Sequence, residues 1–86
     1  MHEMSVALEV CRMAEDRLDA RQLGQLVTVG LEVGGDAGLE PDNLSFCLET
    51  LLAQPPFAGA AAAITRVNGD VLRLTYLEVD DERPGH

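Results

Sequence analysis

Two histidines, His2 and His86, stand at opposite ends of an 86-residue chain, and only His2 sits among groups that could do chemistry with it. It follows the α-amine of Met1 and precedes Glu3. The amine, the His2 imidazole and the backbone nitrogens of His2 and Glu3 can chelate one ion in nearly one plane. Four nitrogens in a plane suit Ni(II) or Cu(II), not tetrahedral zinc. From spacing alone the signal is weak, because a histidine at position 2 is common by chance. His86 reads as a tail residue.

The remaining reactive residue types form no competing site. Cys11 and Cys47 fall in separate helical patterns and no CxxC pair exists, so a structural zinc site is excluded on ligand count. Both read as buried thiols acting as small apolar residues. Glu32, Asp36 and Glu40 can be grouped as carboxylates, but alternate positions beside a loop read as a solvated face. Gly34, Gly35 and Gly38 lack the lysine of a phosphate-binding loop and read as a turn. No Ser-His-Asp order or second-histidine metal pattern appears. The chain therefore reads as a binding module, not an enzyme. Six Lys and Arg against fifteen Asp and Glu give a net charge of −9, which argues against nucleic acid and anionic membranes as partners. The start has no basic leader, and no apolar stretch is long enough to span a bilayer, so a cytoplasmic protein is expected.

Hydrophobic spacing sets the elements that must position the N-terminal residues. Ala7, Cys11, Ala14 and Leu18 repeat at helical intervals, which predicts a helix over 4–21 stopped by Gly24. Val27, Val29, Leu31 and Val33 alternate, which predicts a strand over 25–34. Pro41 and Asp42 open a second helix over 41–53, with Leu44, Cys47, Leu48, Leu51 and Leu52 as its apolar stripe. The alanine run reads as a strand over 60–67, because it is short and ends in Ile64, Thr65 and Val67. Asn68-Gly69 then predicts a tight hairpin turn into a strand over 70–80, with Leu72, Leu74 and Tyr76 on one face; Leu77 and Val79 break the alternation, which predicts a bulge or a change of burial there.

The expected architecture is α+β, in the order α-β-α-β-β. Two helices pack on one face of a three-stranded sheet, with a C-terminal hairpin and the last strand in the middle. Residues 1–80 form a single domain, and 81–86 read as a disordered acidic tail. If strand 60–67 lies at the sheet edge it lacks charged guards, and a homodimer through that edge is expected.

Met1-His2-Glu3-Met4-Ser5 leading into an amphipathic helix resembles the opening of the HypA/HybF family of nickel metallochaperones. So do Val29 to Gly34, Leu39-Glu40-Pro41 running into Leu44 to Glu49, and the last strand, Leu72 to Asp80. The resemblance covers nearly the whole chain. It implies that Ni(II) is held at Met1, His2 and Glu3, with Glu40 as a second contributor behind the ligands. It implies service to [NiFe] hydrogenase maturation, with a nickel-handling GTPase and the hydrogenase large subunit as partners. The family inserts a zinc domain with two CxxC pairs between its last two strands. Here only residues 65–70 separate Ile64 from Val71, so no zinc is expected. The alternative is a metal-free interaction module, an assembly factor or complex subunit that keeps the fold and the partner surface.

Overall fold

The structure is a computed structural model and describes residues 2–84. The element order is α1 (Glu3–Arg17), α2 (Ala20–Gln25), β1 (Leu26–Gly34), α3 (Pro41–Leu52), β2 (Ala61–Val67) and β3 (Leu72–Val79). This is an α+β fold built on a three-stranded mixed sheet.

One core fills the space between the helices and the sheet. Ala7, Val10, Cys11 and Ala14 of α1 meet Leu44, Cys47, Leu48 and Leu52 of α3 over Val29, Leu31 and Val33 of β1. Both cysteines are buried, as their helical spacing implies. Ala62 and Ile64 of β2 and Leu74, Leu77 and Val79 of β3 extend this apolar face on either side.

The stretch expected as one helix over 4–21 is two helices. Leu18 is extended, and Asp19 starts α2 with a capping box: its carboxylate accepts the Gln22 N–H at 2.8 Å, and Gln22 Oε1 accepts the Asp19 N–H at 3.0 Å. That reciprocal pair satisfies two orphan donors at once, which a continuous helix would not need.

The expected hairpin does not form, and the last strand is not central. The sheet order is β2-β1-β3, with β1 pairing β2 in parallel and β3 antiparallel. A tight two-residue turn of the expected kind needs positive φ at both central residues. Gly69 has φ +91°, but no described non-glycine residue has positive φ, so Asn68 does not fit it. Residues 68–71 instead cross the end of β1. Gly34, Gly35 and Asp36 donate their N–H groups to the carbonyls of Val71, Val67 and Gly69 at 2.7, 3.0 and 2.9 Å. Gly34 is required there, since a Cβ would fall 2.0 Å from the Gly69 carbonyl oxygen.

β3 carries a bulge, and it falls ahead of Leu77 and Val79, where the alternation breaks. Leu31 lies opposite Leu74 and Gly30 opposite Tyr76, which leaves Thr75 as the extra residue. The bulge turns Tyr76 onto the outer face, where its ring covers Gly30, so Tyr76 does not share a face with Leu72 and Leu74. Arg73 pairs with Glu32 of β1.

Residues 81–84, expected as the start of a disordered tail, fold back on the domain. Gln25 Nε2 donates to the carbonyls of Asp81 and Arg83, and the Arg83 guanidinium donates to the carbonyls of Leu26 and Ala58. The other residues of that stretch, including His86, lie outside the described ones. No helix among the described residues is long and apolar enough to cross a membrane.

Candidate metal centre

The first turn of α1 carries the N-terminal triplet. Met1 lies outside the described residues, so its amine is not placed. His2 is exposed and stands at the N-cap of α1 with φ −121° and ψ 27°, and its side chain makes no capping bond. Its carbonyl accepts the Val6 N–H at 3.0 Å. That bond opens the helical ladder, so the ladder itself makes no claim on the amide nitrogens of residues 2 and 3.

Glu3 is placed differently from an exposed ligand. It is 4% exposed, and its carboxylate faces the start of α3. Oε2 accepts the Glu40 N–H at 3.0 Å, and Oε1 accepts the Asn43 side-chain amide at 2.9 Å. The hydrogen bonds that this carboxylate accepts hold its pKa at about 2, with burial opposing them. A carboxylate between two helix N-termini also meets the positive ends of both dipoles.

Glu40 is the N-cap of α3. Its own carboxylate accepts the Asn43 N–H at 2.8 Å and the Asp42 N–H at 3.2 Å. Pro41 occupies the first turn, as the sequence predicts. The Glu40 side chain is thus committed to the cap, and it is the Glu40 backbone that reaches Glu3. Asn43 is the residue that sequence reasoning missed. It donates its backbone N–H to Glu40 and its side-chain amide to Glu3, so it joins both carboxylates.

Among the described residues no three His, Cys, Asp or Glu side chains gather closely enough to hold a metal. Glu32, Asp36 and Glu40 do not converge. An apolar groove of about 250 Å³ runs between α1 and the sheet, lined in part by Val6, Val10 and Met13 against Leu31 of β1 and Leu72 and Leu74 of β3. It offers no cluster of ionisable groups suited to catalysis.

The described arrangement is that of a small α+β domain whose first helix starts at an exposed histidine and is fastened to a second helix by a buried carboxylate. Residues 1–72 match the family described as HypA: hydrogenase/urease nickel incorporation, metallochaperone. Hydrogenase maturation factor HypA of Streptomyces avermitilis is 43% identical over 72 residues, covering 80% of this chain and 53% of the relative. The proteins of the same name from Albidiferax ferrireducens and Geobacter sulfurreducens are 33% and 36% identical, each over 80% of this chain and 61% and 60% of their own lengths. The chain belongs to the HypA family, a family of metallochaperones and not of enzymes. It spans a little over half the length of these curated relatives.

Proposed function

We propose that this chain binds Ni(II) as cargo through the Met1 amine, the His2 imidazole and the amide nitrogens of His2 and Glu3, and serves [NiFe] hydrogenase maturation in the cytoplasm. The observation that carries this reading is the family match, which begins at residue 1 and so includes the triplet. The exposure of His2 and its position ahead of the helical ladder support it. In this reading Glu3 contributes its backbone nitrogen, while its side chain anchors the helix and Glu40 supports that anchor. The nickel-handling GTPase and the hydrogenase large subunit are the proposed partners, and no zinc is needed.

Nickel competes with protons at the amine, the imidazole and two amides, so affinity rises steeply with pH. Cu(II) binds more tightly than Ni(II) in vitro by the Irving–Williams order, and selectivity comes from metal supply and partners. The test is a calorimetric nickel titration of untagged protein, His2→Ala and an N-terminally extended form, with absorbance for a planar d–d band. Binding is expected in the first alone. Equal affinity in all three would sink the N-terminal site, and binding in none would favour the metal-free interaction module.

A further inference from the structure

We propose that Asn43 is a positioning residue for the N-terminal nickel site and acts through Glu3. This inference rests on the reading above, in which the Glu3 amide nitrogen is a ligand.

Glu3 has two tasks in that reading. It supplies the last nitrogen of the chelate, and it is the first residue of α1. The direction of its amide nitrogen follows from where its Cα is held. The side chain fixes that position, because its two carboxylate oxygens are each bonded to the start of α3, at 3.0 Å from the Glu40 N–H and 2.9 Å from Asn43 Nδ2. The Glu40 donor is backbone, locked by the cap. The Asn43 donor is a side chain, itself steadied because the Asn43 N–H is held by the Glu40 carboxylate at 2.8 Å. Fixing a ligand through its bonded neighbours raises affinity by reducing the ordering that binding must impose.

The residue type matters for charge. An asparagine amide donates to the carboxylate without adding charge beside a bound cation. A lysine or arginine here would repel Ni(II), and an aspartate would oppose Glu3 with a second negative charge. An uncharged donor of asparagine's length holds the carboxylate with neither penalty.

The test is a double-mutant cycle on untagged protein: wild type, Asn43→Ala, Glu3→Ala and the pair, each titrated with nickel and melted without it. Asn43→Ala is expected to weaken nickel binding roughly three- to tenfold, the worth of one net hydrogen bond, with the d–d band unmoved because the ligands are unchanged. Asn43→Gln should recover part of the loss. In the Glu3→Ala background Asn43→Ala should cost nothing further, since the group it acts through is gone. Leu52→Ala, a core change at the opposite end of α3 from Asn43, controls for general destabilisation and should leave nickel affinity unchanged in the folded protein. Wild-type affinity in Asn43→Ala, or an equal loss in the Glu3→Ala background, would overturn the inference while leaving the nickel site standing. Loss in Leu52→Ala matching that in Asn43→Ala would also overturn it. Wild type that binds no nickel would overturn the inference together with the reading beneath it. Should Asn43→Ala fail to fold, Asn43→Ser takes its place in the cycle, with the same loss expected and the same outcomes overturning the inference.

Discussion

The backbone N–H of Glu40 donates to the carboxylate of Glu3 at 3.0 Å, across 37 positions of sequence. In an ordinary capping box, the N-cap N–H is taken by the side chain three residues further into the same helix. In α3 that residue is Asn43, and its amide points to Glu3 instead. A side chain from another helix completes the cap. The Glu40 carboxylate caps α3 locally, but the Glu40 N–H finds its partner only when α1 is in place, which couples two local structures through one carboxylate.

That coupling is measurable with acid. The Glu3 carboxyl is lowered from 4.5 to about 2 by the hydrogen bonds it accepts. A depressed folded value means that ionised Glu3 adds stability, complete above the ordinary glutamate range and lost as pH falls through about 2. Glu3→Gln should be less stable than wild type at pH 6, and the gap should narrow steadily toward pH 2. Urea unfolding at several pH values reads it directly. A gap independent of pH would mean that the charge of Glu3 contributes nothing.

The crossing at residues 68–71 predicts sharply different outcomes at neighbouring glycines. Gly34→Ala places a methyl 2.0 Å from the Gly69 oxygen and 2.7 Å from the Val71 nitrogen, both backbone atoms. The crossing must shift, at a cost of about 1–3 kcal/mol or more. Gly35→Ala meets nothing within 4 Å and should be close to neutral. Gly30→Ala lies between them, because the obstacle is the Tyr76 ring, which can swing away. Thermal melts of the three variants should show Gly34→Ala lowest, Gly30→Ala intermediate and Gly35→Ala closest to wild type.

Cys11 should resist thiol reagents in the folded protein. Burial, helped by the nearby Glu15 charge, pushes its thiol up to about 11, and the thiolate is the reactive form. Alkylation at pH 7.5 should proceed at the rate of unfolding, and peptide mapping should find Cys11 unmodified until denaturant is added. Rapid labelling under native conditions would contradict the buried α1–α3 interface.

The outer edge of β2 is better guarded than its side chains suggest. Glu49 Oε2 of α3 accepts the Ala62 N–H at 2.8 Å and so occupies a donor that an incoming strand would use. A homodimer built on this edge must displace Glu49. Glu49→Ala should therefore raise the dimer fraction seen by light scattering at high concentration. An unchanged mass in wild type and variant would remove the β2 edge as a pairing surface.

How far the sequence can be read depends on whether the deciding contact is local. β1 and α3 are legible, because alternation at Val29, Leu31 and Val33 and the stripe from Leu44 to Leu52 record burial directly. The alanine run is legible as a strand from its length and its β-branched end. Strand order is not legible. Asn68-Gly69 is the same dipeptide in a hairpin or a crossing, and the choice lies in whether β1 accepts a neighbour on both sides. The break at Leu18 is hidden by an apolar period that continues from Ala14, though Asp19 and Gln22 stand at capping-box spacing. At the candidate site, His2 is legible from its residue type and position. Asn43 is not, because its role exists only through Glu3, 40 positions away.

The crossing over Gly34 also determines how this domain would carry anything grafted into it. A hairpin turn would present a graft on a narrow stalk, its two arms one strand spacing apart, about 5 Å, and free to swivel. Here the arms leave β2 and β3 on opposite edges of the sheet, with β1 between them. They are roughly two strand spacings apart, about 10 Å. A passenger inserted at 68–71 would ride on a broad, two-legged mount, braced by the carbonyls that now grip residues 34–36. Its orientation to the rest of the molecule would be held, and cutting the chain there would leave both new ends on the same rim.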